Sequence, residues 1–170
     1  SGETVLALEH PETFRIHING QAVAPDADSG WWVDRSLRRV PFDPVFLSRG
    51  LNRIRLTCRY NAAHSGFETV YLLGPFGTRP RGASVAMTAL PQRLKIGDWV
   101  TQGLSFYSGS VTYRRRVRVS LKRGERLFVR VPEYRGAAVR VAIDGREAGL
   151  IAWEPNEVDV TEYVKPGGCE

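Results

Sequence analysis

The chain has 170 residues, 42% hydrophobic and 25% charged, with a formal net charge of +6. That length can bury a real core in one or two domains, and no stretch is apolar for the length that a membrane helix needs. The two cysteines, Cys58 and Cys169, exclude a disulfide framework and a cysteine-built metal cluster.

The positive charge invites a nucleic-acid reading, and the residue types argue against it. Of the 24 basic residues only three are lysines, Lys95, Lys122 and Lys165. An arginine bias spread over the whole chain reads as composition rather than as a tuned patch. Many arginines fall on alternate positions, as in Arg53, Arg55 and Arg59, and again in Arg114, Arg116 and Arg118. Such positions form the solvated face of a sheet, and no nucleic-acid-binding signature accompanies them.

In chain order the first element is the apolar run TVLALE, read as a strand over Thr4 to Leu8. The next, FRIHINGQ from Phe14 to Gln21, alternates strictly and ends in Asn-Gly. That pattern predicts a half-buried strand entering a tight hairpin turn. His17 falls on its outward face, so an exposed histidine is expected there rather than a ligand. A loop bearing Trp31 and Trp32 follows, then a short polar strand. Pro41 and Pro44 bracket Phe42 in an irregular connection. RIRLTCRY, from Arg53 to Tyr60, is a strong strand with Ile54, Leu56, Cys58 and Tyr60 on its apolar face. Cys58 is thus a small core residue.

Thr69 to Leu73 reads as a strand, and Gly74 to Asp98 as the longest loop, in which Ser84 to Leu90 could form another strand. Further strands are predicted over Ser110 to Val119, Arg126 to Val131, Val139 to Ile143 and Asn156 to Val160. The run VRVAIDGR, from Val139 to Arg146, repeats the alternation and ends in Asp-Gly. Asp159 can bond to the backbone that follows and fix a turn before Tyr163.

The two hairpin signatures have matching flanks: an apolar run before, a tryptophan loop after, then a polar strand and a glycine turn at Gly50 or Gly167-Gly168. This implies duplication. The expected fold is all-β, two antiparallel β-sandwich modules in tandem, residues 1–78 and 79–170. The first is expected to be incomplete at its start and the second at its end. A missing closing strand would leave an unpaired edge near Glu170, a place for a dimer contact or strand exchange.

Acid–base glycoside hydrolysis requires two facing carboxylates, and the spacing of Glu133, Glu154, Glu157 and Asp159 selects no pair. No catalytic residue, metal or cofactor is therefore assigned. The binding candidates are rings in or beside loops: Trp31, Trp32, Trp99, Tyr107 and Trp153, with Glu154 and Asn156 as polar partners beside Trp153. Sugar C–H faces stack on such rings. The competing reading has Trp99 and Trp153 plugging the ends of a sandwich, and it is favoured for those two. Adjacent residues in an extended segment point to opposite sides, so one of Trp31 and Trp32 is a candidate exposed platform.

The segments VAIDGREAG, from Val141 to Gly149, and AWEPNEVDVTEYVKPGG, from Ala152 to Gly168, preceded by FYSGSVTYRRRVRV from Phe106 to Val119, carry a resemblance. Together they resemble the sugar-binding, galactose-binding-like jelly-roll domain of glycoside hydrolase family 2, found in large bacterial glycosidases. The first copy keeps HINGQAV but has Arg39-Val40-Pro41-Phe42 where the aspartate–aliphatic–threonine turn would stand. The resemblance implies a non-catalytic accessory region whose catalytic barrel is separate. It implies a glycan or the parent's catalytic domain as partner, and neither nucleic acid nor membrane. A purely structural or protein-interaction scaffold is the alternative. The compartment is left open.

Overall fold

A computed structural model describes residues 2–62, 64 and 66–164. The expectations placed on Cys169, on the glycine turn at Gly167-Gly168 and on a free edge near Glu170 lie outside the described residues. The chain divides into two compact units, Ser1–Ser108 and Gly109–Glu170. Strands make up 35% and helical turns 9%, so the chain is all-β. Every paired strand is antiparallel.

The first unit opens with β1 (Val5–Glu9), whose residues Val5 to Leu8 are all buried. A continuous apolar run of this kind suits a strand covered on both faces. It lies inside a four-stranded sheet ordered β4 (Trp31–Trp32), β5 (Asp34–Pro41), β1, β7 (Tyr71–Leu73). A three-stranded sheet is ordered β3 (Gln21–Val23), β2 (Arg15–Ile18), β6 (Ile54–Thr57). Both sheets send side chains into one core: Leu6, Leu8 and Val40 from the first, Ile16, Ile18 and Val23 from the second. Leu56 and Cys58 pack against it half-buried.

The Asn-Gly turn has the backbone that its sequence demands. Asn19 and Gly20 sit at φ 48° and 90°, joining Ile18 to Gln21 as a two-residue hairpin loop. Asn19 also clamps the segment before β6. Its Nδ2 donates to the Phe46 carbonyl at 2.9 Å and to Asn52 Oδ1 at 2.7 Å, and its Oδ1 accepts from the Arg53 amide at 2.8 Å. Asn52 in turn ties down the Ser48 to Gly50 loop.

Three stretches differ from their sequence-based reading. The short polar strand expected after the tryptophan loop is the eight-residue β5, and it takes in Pro41, expected in an irregular connection. Pairing with β1 and β4 builds this strand despite its polar composition. The expected loop after Gly74 holds a hairpin turned at Gly82 with φ 57°: β9 (Ser84–Ala89) falls where the sequence allows a strand over Ser84 to Leu90, and β8 (Phe76–Arg81) is the unexpected partner. Residues 78 and 79 are consecutive positions inside β8. Ser110 to Val119 forms no strand among the described residues. Its would-be apolar face is broken by Arg115, and residues 112–118 are exposed, so pairing there would bury nothing.

The second unit pairs β10 (Phe128–Arg130) with β13 (Glu157–Asp159), and β11 (Val139–Ile143) with β12 (Arg146–Ile151). Asp144 and Gly145, at φ 49° and 78°, repeat the turn of the first unit. Val141, Ile143, Ile151 and Val160 form the core. Gly149 is required where β12 meets β13, because a Cβ there would stand 2.8 Å from Val158. The aspartate–aliphatic–threonine turn closes the unit. Asp159 Oδ1 accepts from the Thr161 amide at 2.9 Å and from its hydroxyl at 2.5 Å. Thr161 Oγ1 accepts from the Leu127 amide at 2.9 Å, and Val160 between them is fully buried.

Two predictions follow from these turns. Asn19→Ala should destabilise the first unit by about 3 kcal/mol in urea unfolding, because it loses the clamp and strains a positive φ. Asn19→Gly should recover about 1 kcal/mol of that by relieving the backbone alone; equal losses would rule out the strain component. For Asp159, the Thr161 hydroxyl and then the Thr161 amide, helped by Arg126, hold the carboxyl below its ordinary 3.8. A depressed pKa stabilises fully above the unfolded value and loses that contribution as pH falls through the folded one. Asp159→Ala should therefore lower the melting temperature at pH 7 and flatten the acid side of the stability profile below about pH 4, read by circular dichroism.

Candidate functional site

The ring candidates divide between the units. In the first, the β4 backbone sends Trp31 and Trp32 to different environments. Trp31 is 49% exposed, whereas Trp32 is half-buried with its ring 5.0 Å from that of Tyr71. Trp99 is half-buried and lies 6.4 Å from the Tyr107 ring. In the second unit, Trp153 is 77% exposed. The expectation that it plugs the core end is thus corrected. Tyr134 packs against that core instead, with its hydroxyl donating to the Ile151 carbonyl at 3.3 Å.

The loop that displays Trp153 is anchored on both sides. Ile151 before it is buried, and after it the Asn156 carbonyl accepts from the Val131 amide at 2.8 Å. Glu154 is exposed beside the indole and Asn156 is half-buried. The arrangement offers a flat apolar face, a carboxylate and an amide on one short segment. Two other carboxylates of the unit have structural partners. Glu157 pairs with Arg130 at 2.7 Å, across from it on β10, and Asp159 with Thr161 and Arg126.

A second cluster surrounds Phe14, where the rings of Tyr60, His64 and Phe67 meet, Tyr60 and Phe67 stacked at 5.4 Å. The adjoining cavity is about 20 Å³. That is room for about one water molecule, so the cavity itself holds no larger ligand, while Tyr60 and Phe67 beside it are exposed.

The outer face of β2 and β6 is different. Pairing sets Arg15 opposite Thr57 and His17 opposite Arg55. Asn19, past the end of β2, meets the Arg53 backbone twice, its amide donating to the Arg53 carbonyl and its Oδ1 accepting from the Arg53 amide. These positions line a cleft of about 670 Å³, walled by Ser48 and Leu51 from the clamped loop. Ala22, opposite His17 on β3, adds only a methyl group to this face. Among the described residues no carboxylate and no Phe, Tyr or Trp lines the cleft; its one ring is the His17 imidazole. Arg15, Arg53 and Arg55 are exposed, and none has an ion-pair partner among the described residues.

His17 is half-buried rather than exposed as its strand position suggested, and its Nδ1 is covered without a hydrogen-bond partner. An unpaired buried polar atom costs about 1–3 kcal/mol and is uncommon in folded proteins. The alternation of RIHIN and RIRLT gave the polar faces of both strands. What it could not give is that the two faces lie side by side.

Comparison with family models, with curated proteins and with solved structures yields no match to this chain.

Clustered like charges on one sheet face are destabilising. Replacing Arg55 by Thr should stabilise the first unit by about 0.5 kcal/mol at low salt. The gain should vanish at about 0.5 M NaCl, where charges this far apart are screened. A loss of stability in Arg55→Thr at low salt would show that the guanidinium has a structural partner.

Proposed function

We propose that this chain is a non-catalytic, carbohydrate-binding-like accessory region of a bacterial glycoside hydrolase. Its two β-modules would be jelly rolls of the galactose-binding-like kind, contacting glycan weakly or supporting a separate catalytic domain. The observation that carries this reading is the exposure of Trp153 on an anchored loop. An indole 77% open to solvent adds little to the core of its unit, and its flat apolar face is free to stack on a ligand. Beside it, Glu154 and Asn156 could hold sugar hydroxyls while a C–H face lies on the ring. Trp31 is a second exposed indole, Tyr107 is exposed as well, and the half-buried Trp32 and Trp99 would support such surfaces.

Calorimetric titration of the full chain with neutral plant and microbial glycans tests the reading. Binding should be weak, and Trp153→Ala should weaken it by about tenfold while leaving the circular dichroism spectrum intact. Flat titrations of the unsubstituted chain across all the glycans would favour the ligand-free scaffold instead.

A further inference from the structure

We infer that the cleft on the outer face of β2 and β6 is a binding site for a carboxylate-bearing oligosaccharide, a chain of uronate sugars. This goes beyond the indole platform and uses another unit. It leans on the accessory-region reading only for the sugar part of the ligand.

The anion part rests on geometry. Same-face neighbours along a strand stand about 7 Å apart, and directly opposed ones about 5 Å. The register that puts Arg15 by Thr57 and His17 by Arg55, with Arg53 two residues on, therefore gathers three guanidinium groups over one short sheet face. None of the three is neutralised by a carboxylate among the described residues. A guanidinium presents a planar fork that matches a carboxylate with two parallel hydrogen bonds. Three such forks around one cleft, carrying uncompensated charge, constitute a receptor for more than one anionic group.

The polar groups beside the forks are the complement of sugar hydroxyls. The Thr57 hydroxyl and the Ser48 hydroxyl stand at the two ends of the cleft. His17 makes no side-chain hydrogen bond among the described residues and its ring is held by packing; its Nδ1 is covered and so offers nothing to a ligand. Asn19, by contrast, is engaged with Phe46, Asn52 and Arg53 and holds the wall in place. A single strand of nucleic acid would bring the same charge, but its successive bases need a row of aromatic platforms, and the cleft is lined by no Phe, Tyr or Trp among the described residues, only by the one imidazole of His17. A neutral sugar would leave the guanidinium groups unpaired.

The test is titration calorimetry of the full chain with a trimer of galacturonate, its neutral galactose counterpart, a heparin-derived oligosaccharide and a single-stranded oligonucleotide, the last two matched in charge to the trimer. The trimer should bind, with affinity falling as salt rises. Arg55→Gln and Arg15→Gln should each weaken it by about tenfold to a hundredfold. Arg55→Lys, which keeps the charge and loses the fork, should fall between. Trp153→Ala should leave trimer binding unchanged, so the site stands even where the neutral glycans bind nowhere. Conversely, neutral glycan binding that depends on Trp153 with no trimer binding would sink the cleft and spare the platform. The inference is also overturned by trimer affinity indifferent to Arg15 and Arg55, or by tighter binding of the oligonucleotide or the sulfated chain than of the trimer.

Discussion

The antiparallel pairing of β2 with β6 is the constraint on which the first unit depends. One register places Ile16 against Leu56 and Ile18 against Ile54, and the same register places His17 against Arg55. Because side chains alternate with a period of two, core and cleft are the two sides of one alignment. A slip by one residue would drive guanidinium groups into the space now filled by Leu6, Leu8 and Val40. The charged face is therefore specified as strongly as the core, although it contributes nothing to the core's stability. The loop from Phe46 to Asn52 is pinned to the same strand end by Asn19, so wall and floor are set by a single element.

The second unit answers the same chain logic with different means. Its small core of Val141, Ile143, Ile151 and Val160 is closed by a polar knot rather than by a large sheet. Asp159, Thr161 and the Leu127 amide form a chain of hydrogen bonds around buried Val160. Gly149 lets β12 and β13 approach closely. With that core sealed by aliphatic residues and by Tyr134, the indole of Trp153 is left outside, where it can meet a ligand.

Local chemistry was legible in the sequence, and long-range pairing was not. The Asn-Gly and Asp-Gly turns and the Asp159 turn are each decided within a few residues, and they stand where the residues put them. Strand β5 was legible as a short polar strand but not in its full length, because Asp34 to Arg39 lack an apolar alternation; its neighbours on both sides extend it to Pro41. β8 was hidden by Pro80 and Gly77, and it exists because β9 pairs along its whole length. Ser110 to Val119 misled in the opposite sense, with strand-forming residue types but no face to bury. The cleft was half legible. Arginines on alternate positions were visible, but their convergence depends on Arg15 lying beside Thr57, a contact between distant parts of the chain.

The Asn19-Gly20 turn has a chemical consequence beyond its geometry. An asparagine followed by glycine is open to attack by the next backbone nitrogen on its side-chain carbonyl, because glycine offers no steric shield. Loss of ammonia by that route would leave a cyclic imide, and its hydrolysis by water a carboxylate at position 19, as aspartate or as isoaspartate. The atom that donates to the Phe46 carbonyl and to Asn52 Oδ1 would become an acceptor facing two acceptors. Only the aspartate product would match the acid found at Asp144, at the corresponding turn of the second unit; the isoaspartate product would reroute the backbone as well. In the first unit the clamp on the cleft wall would be undone, so the protein's chemical lifetime and the integrity of its charged face are bound to the same amide.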